Sequence, residues 1–182
     1  MVIGQILDGM IARRQGASPI VVLVRGNQAV RMLPFHVRLF FWLTNVPYWL
    51  LAAHVHASPP DFLERRHAAV HCFAMVAVAA ASTAFHGAQV FGDPGAQQTL
   101  VPRLLKLDLI AANGYGLVLA CTRHLLLVVL AFALPLVFLF ASAVLKRTGR
   151  PMAFAAGHGL WHCGSAAALG YCLYDDPRSR IA

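Results

Sequence analysis

His158 and His162, His86 with Ser82 one helical turn before it, and a lone Asp108 are the residues of this chain best suited to chemistry. All five lie in apolar stretches, where ionisable side chains are costly and ask for a shared reason to exist. Residues four apart share a helix face, so Ser82 and His86 point together, as do His158 and His162. Two imidazoles at this spacing form a two-ligand arm for zinc. His86 on another helix supplies the third ligand and leaves the fourth position for water, the pattern of a catalytic rather than a structural site. Zinc held by neutral imidazoles lowers the pKa of its water towards about 7, which prepares that water to attack a carbonyl. Asp108 is placed to accept the proton, and Ser82 to orient the water or donate to the developing oxyanion. Lys106 lies on another helix face, and a carboxylate without a cation in a span favours a metal or its water nearby.

The elements that carry these residues follow from composition. Of 182 residues 59% are hydrophobic and 12% charged, and the mean hydropathy is +0.64. That leaves too little polar surface for a soluble globule of this size. The expected fold is all-α, a polytopic transmembrane bundle of about five spans plus an N-terminal interfacial helix. Spans are expected near 38–55, 68–91, 104–121, 124–145 and 152–174. Between them lie turn and charge signals: Ser58-Pro-Pro-Asp61, Gly92-Asp-Pro-Gly95, Arg123 and Lys146 to Pro151. Residues 1–37 form a cytoplasmic or interfacial segment, 38–174 the bundle and 175–182 a short tail. In the first segment Ile3, Ile6, Leu7, Met10 and Ile11 mark one face of a helix too short to cross. No cleaved signal peptide is expected, since the first long apolar run starts near residue 38. Cys72, Cys121, Cys163 and Cys172 fall in apolar segments without C-x-x-C spacing and read as small buried hydrophobes.

Loop charge sets an orientation. Arg13, Arg14, Arg25, Arg31, Arg38, Arg103, Lys106, Lys146, Arg147 and Arg150 lie on the N-terminal side of five spans; Arg65, Arg66, Arg123, Arg178 and Arg180 lie opposite. The positive-inside rule places the N-terminus in the cytoplasm. The net charge of +8 then reflects topology and anionic lipid rather than nucleic acid, because the basic residues flank spans. In this orientation His86, Asp108, His158 and His162 all fall in one layer of the cytoplasmic leaflet, with Ser82 one turn deeper than His86.

Other polar groups have plainer readings. His67-Ala-Ala-Val-His71 repeats the spacing of the 158/162 pair at the outer end of its span, without an acidic partner, and reads as interfacial. His36, His54, His56 and His124 lie near span ends, where polar tips reach headgroups. Trp42, Tyr48 and Trp49 suggest an aromatic belt, and Gly157 and Gly159 suit close helix packing.

The combination Ser-x-x-x-His on one span, Asp at the start of the next and His-x-x-x-His on the last resembles the CREST superfamily of membrane hydrolases. That group includes alkaline ceramidases, progestin and adipoQ receptors with the hemolysin III proteins, and GPI-anchor lipid remodelling proteins. The resemblance covers residues 82–162, with Leu107-Asp108 and Leu160-Trp161-His162 among the familiar neighbours. It implies a zinc-dependent hydrolase of a lipid amide or ester, ceramidase-like, with His86, His158 and His162 as ligands and Ser82 and Asp108 beside the water. The superfamily usually has seven spans, so two are missing between the Asp helix and the last. The 22 residues from His86 to Asp108 are closer to the receptor-like branch than to the ceramidases. The acidic calcium-binding N-terminus of animal ceramidases has no counterpart, Asp8 being the sole acidic residue before Asp61.

Two other classes stand beside the hydrolase. A b-type haem electron carrier would use His71 and His86, 15 residues and roughly 22 Å apart on one span, with His158 or His162 and His54 or His56 as second ligands. A non-enzymatic zinc-containing membrane receptor or assembly subunit is the other. Expected partners are a lipid substrate and membrane lipids, with no nucleic acid; an oligomer is compatible with the chain.

Overall fold

The computed structural model describes residues 30–60 and 65–175, and the regular structure of the described residues is helical. The helices are α1 (Phe35–Leu43), α2 (Val46–Ala57), α3 (Arg65–Phe91), α4 (Pro94–Thr122), α5 (Leu125–Arg147) and α6 (Pro151–Tyr174). The chain is an all-α bundle. The interfacial helix expected within residues 3–11 and the tail after 175 lie outside the described residues.

Three helical stretches, Arg66–Phe91, Gln98–Thr122 and Leu125–Arg147, are long and apolar enough to cross a membrane. The first and last of the five expected spans differ from these. Where one span over 38–55 was expected, two short helices meet at Thr44-Asn45. Pro47 in the first turn of α2 has no N–H to give to the preceding turn, so the helix cannot run through. The carbonyls freed at the end of α1 are taken by side chains: Thr44 Oγ1 donates to Phe41 O at 2.6 Å and Asn45 Nδ2 to Trp42 O at 2.9 Å. At 24 residues α6 is long enough to cross, but His158, His162 and four glycines dilute its apolar character.

The turn into α6 is set locally. α5 ends with Arg150 N–H donating to Leu145 O and Gly149 N–H to Lys146 O, the paired bonds of a Schellman motif. This motif needs a left-handed residue, and Gly149 supplies it with φ 71°. Pro151 then opens α6.

α5 lies along α6, and α3 along α4 and α2, while α1 and α2 both reach α6; α4 and α5 scarcely touch. The core includes Tyr48, Val55, Met75, Leu119, Leu169 and Leu173. Leu107, Ile110 and Leu117 of α4 and Leu126, Leu130, Leu134 and Val137 of α5 are exposed, as suits surfaces facing lipid chains.

The α1–α2 corner bears on α3 and α6. Trp42 Nε1 donates to Thr83 O and Trp49 Nε1 to Thr83 Oγ1, both at 3.1 Å. Tyr48 is buried and its hydroxyl shares a hydrogen bond with Ser165 Oγ. These three residues therefore tie helices together instead of forming the expected aromatic belt. The cysteines divide similarly: Cys172 is buried, whereas Cys121 and Cys163 are exposed. On α6 a Cβ at Gly159 would meet Thr44 Cγ2 at 3.0 Å, and one at Gly157 would meet Ser142 Cβ at 3.4 Å.

Gly159→Val should therefore force the corner away from α6 at a cost of about 1–3 kcal/mol and lower the Tm in detergent. Gly116→Val, where nothing lies within 4 Å, should leave Tm unchanged; equal melting of the two variants would contradict this packing.

Candidate metal centre

His86 arrives from the last third of α3, and His158 and His162 from successive turns of α6. Their rings pack mutually edge to face, with centroids 5.1 Å apart for His86–His158, 4.9 Å for His86–His162 and 4.8 Å for His158–His162. One ring nitrogen from each lies within 4.8 Å of the others, so the group could hold a metal ion. His86 and His162 are buried and His158 is half-buried. Phe41, fully buried, closes one side with its ring 4.9 Å from His86 and 5.6 Å from His158. Tyr48 stands edge-on to His162 at 5.8 Å.

The surrounding hydrogen bonds decide which nitrogens face inward. Gln89 Oε1 lies 3.0 Å from His86 Nδ1. A carbonyl oxygen can only accept, so His86 carries its proton on Nδ1 and turns a lone pair inward on Nε2. Ser142 Oγ donates its one proton to Leu139 O at 2.8 Å and lies 3.3 Å from His158 Nδ1. It therefore accepts from His158 Nδ1–H, and His158 Nε2 also bears a lone pair. Such outer partners are the usual means of fixing the tautomer and ring orientation of metal-ligating histidines.

His162 completes the test of fit. Its Nε2 stands 3.0 Å from His86 Nε2, while its buried Nδ1 has no hydrogen-bond partner. The contact is a hydrogen bond only with the His162 proton on Nε2, which strands the Nδ1 lone pair at a cost of about 1–3 kcal/mol. A cation accepting the inward lone pairs removes the conflict. The separation is also close to the ~3.3 Å edge of a tetrahedron with metal–nitrogen bonds of about 2.0–2.1 Å. The three imidazoles thus fit a small ion with nitrogen preference. Haem would require its two imidazoles on opposite faces of one plane, whereas these three converge on a point.

Ser82, one turn from His86, is buried. It sits beside the carboxyl of Asp108, which is half-buried on α4. Asp108 has no cationic partner among the described residues. The structure thus brings Ser82 to Asp108, and His86, one turn away along α3, meets His158 and His162 of α6. α4 begins ten residues before the expected start of its span and runs through Pro102, so Asp108 lies well inside it.

The remaining histidines stay apart from this cluster. His71, expected at the interface, is buried: its Nε2 lies 3.1 Å from Thr122 Oγ1 and its ring against Tyr115. His67, His56 and His36 are exposed, and exposed His54 packs on the Tyr174 ring at 5.1 Å. Sequence reasoning missed Gln89, Ser142, Tyr48 and Phe41. Gln89 was within reach of the helix-face rule, three residues after His86; Ser142 lies on a different helix and has no local signal. No protein-family model, curated protein or solved structure matches the chain.

Metal analysis with visible absorption checks the centre. Detergent-purified protein is expected to hold about one metal ion per chain with no Soret band, and His158→Ala with His162→Ala should lose the metal. Gln89→Ala should keep the fold and weaken metal binding by about 10–100-fold in chelator competition. A Soret band would reject the three-imidazole metal site.

Proposed function

We propose that this protein is a membrane-embedded, zinc-dependent hydrolase of a lipid amide or ester, ceramidase-like in mechanism. The observation that carries the proposal is the convergence of three imidazoles from α3 and α6, with the Ser82–Asp108 pair one turn away, inside an apolar bundle. A closed structural zinc site has no use for a carboxylate and a hydroxyl held beside it. The same five residues carry the resemblance to the CREST superfamily. The three helices long and apolar enough to cross a membrane and the ten-to-five division of basic residues support a multi-pass protein with a cytoplasmic N-terminus.

Bound at the three imidazoles, zinc supplies Lewis acidity and acidifies water. The protein's own residues do the rest. Gln89 and Ser142 hold His86 and His158 with their lone pairs inward, so no reorganisation is needed when the ligand set is used. Asp108 takes the proton of the attacking water and returns it to the departing amine or alcohol. The Ser82 hydroxyl, beside the Asp108 carboxyl, donates to the carbonyl oxygen as negative charge develops there. Phe41 and the neighbouring rings of Phe85 and Phe154 exclude bulk water and strengthen each of these contacts.

Fatty-acid release from a panel of lipid amides and esters, with zinc content measured on the same samples, tests this reading. Asp108→Asn should lower turnover about 100-fold or more and Ser82→Ala about tenfold or more, each with zinc retained. Zinc bound without hydrolysis of any amide or ester would reject the hydrolase in favour of a non-enzymatic zinc-containing receptor or assembly subunit.

A further inference from the structure

The outer layer of the metal centre is complete on two sides and open on the third. His86 Nδ1 donates to Gln89 Oε1 and His158 Nδ1 to Ser142 Oγ, whereas the buried Nδ1 of His162 has no hydrogen-bond partner. A metal ion that takes the Nε2 lone pair of His162 leaves the ring proton on Nδ1. That N–H then lies in a dry interior and requires an acceptor.

Tyr48 of α2 is the side chain placed to supply one. Its ring stands edge-on to the His162 ring, with centroids 5.8 Å apart and planes at 90°. Its hydroxyl reaches Ser165, which lies three residues after His162 on the same face of α6. Ser165 gives its one proton to Trp161 O at 2.6 Å, so Tyr48 is the donor in the bond between the two hydroxyls. The phenolic oxygen therefore has its proton committed and its lone pairs in hand.

The same bookkeeping of protons explains why the two side chains are not bonded to each other here. The 3.0 Å contact between His162 Nε2 and His86 Nε2 requires the His162 proton on Nε2, so Nδ1 presents a lone pair. Two acceptors form no hydrogen bond. Moving that proton to Nδ1 turns the same pair into donor and acceptor. The Asp108 carboxyl acts electrostatically on the Tyr48 hydroxyl, so Tyr48 borders both the imidazoles and the carboxylate.

Resting on the three-imidazole zinc site of the hydrolase reading, and not on hydrolysis itself, we propose that Tyr48 is a positioning residue of the metal-loaded centre. Its hydroxyl oxygen accepts the Nδ1–H of His162. With this bond α2 supplies the third outer hydrogen bond, as α3 does for His86 and α5 for His158. Such a bond fixes the ring plane and raises the basicity of the ligating nitrogen.

Nitrogen NMR of the full-length protein in detergent, with ¹⁵N-labelled histidines, reads the proton directly in the metal-free and zinc-loaded states. The His162 proton is expected on Nε2 without metal. Zinc should move it to Nδ1, in a signal protected from exchange with water. Tyr48→Phe should lose that protection, and Tyr115→Phe, which alters a buried tyrosine packed on His71, should keep it. In chelator competition Tyr48→Phe should weaken zinc binding about 10–100-fold and Tyr115→Phe should leave it unchanged. Ser165→Ala removes the hydrogen bond between α2 and α6 but keeps the phenolic oxygen, and should lose less affinity than Tyr48→Phe. The wild-type spectra decide the case even where Tyr48→Phe fails to fold. A His162 Nδ1–H that exchanges freely with water, unchanged zinc affinity in Tyr48→Phe, or equal losses in Tyr48→Phe and Ser165→Ala would each overturn the proposal and leave the metal centre standing. Wild-type protein that binds no zinc overturns the proposal together with the centre.

Discussion

Three imidazoles turned to one point inside an apolar bundle are the constraint on which the rest of this structure depends. Unshared lone pairs in a dry interior are unfavourable unless a proton or a cation meets them. The inner face cannot be relieved by flipping a ring, because Gln89 and Ser142 already occupy the outer nitrogens of His86 and His158. That second layer fixes the rings of a histidine cluster that could hold a metal ion.

Close helix approach makes this layer possible. Ser142 reaches His158 because α6 presents Gly157 to it, and the α1–α2 corner comes down on Gly159. The break at Thr44-Asn45 lets α1 deliver Phe41 to the imidazoles while α2 delivers Tyr48 to the Ser165–His162 side. A single straight helix over the same residues could not bend around the cluster in this way. The proline that breaks the helix is therefore part of the site's construction.

The bundle is asymmetric around this centre. α1 and α2 seal one flank, whereas α4 and α5 leave a seam between them. His86 and His158 line a cavity there together with Phe85, Leu105 and Leu139.

The sequence by itself determined the helical character, three of the five expected apolar spans and the two i, i+4 pairs, since these depend on composition and on the 3.6-residue period of the chain. It also determined the turn at Gly149 through backbone sterics. It did not distinguish the pair His67/His71 from His158/His162, which are equal in spacing. Tertiary packing separated them: His71 is paired off with Thr122 beside Tyr115, while His158 and His162 meet His86 from another helix. It likewise turned Trp42, Tyr48 and Trp49 from a belt into helix clamps. The tautomer-fixing partner on α5, Ser142, was invisible for the same reason. A local pattern states which residues share a face, but the neighbour that face meets is set by long-range helix packing, and that neighbour decides whether a buried nitrogen is satisfied, stranded or offered to a metal.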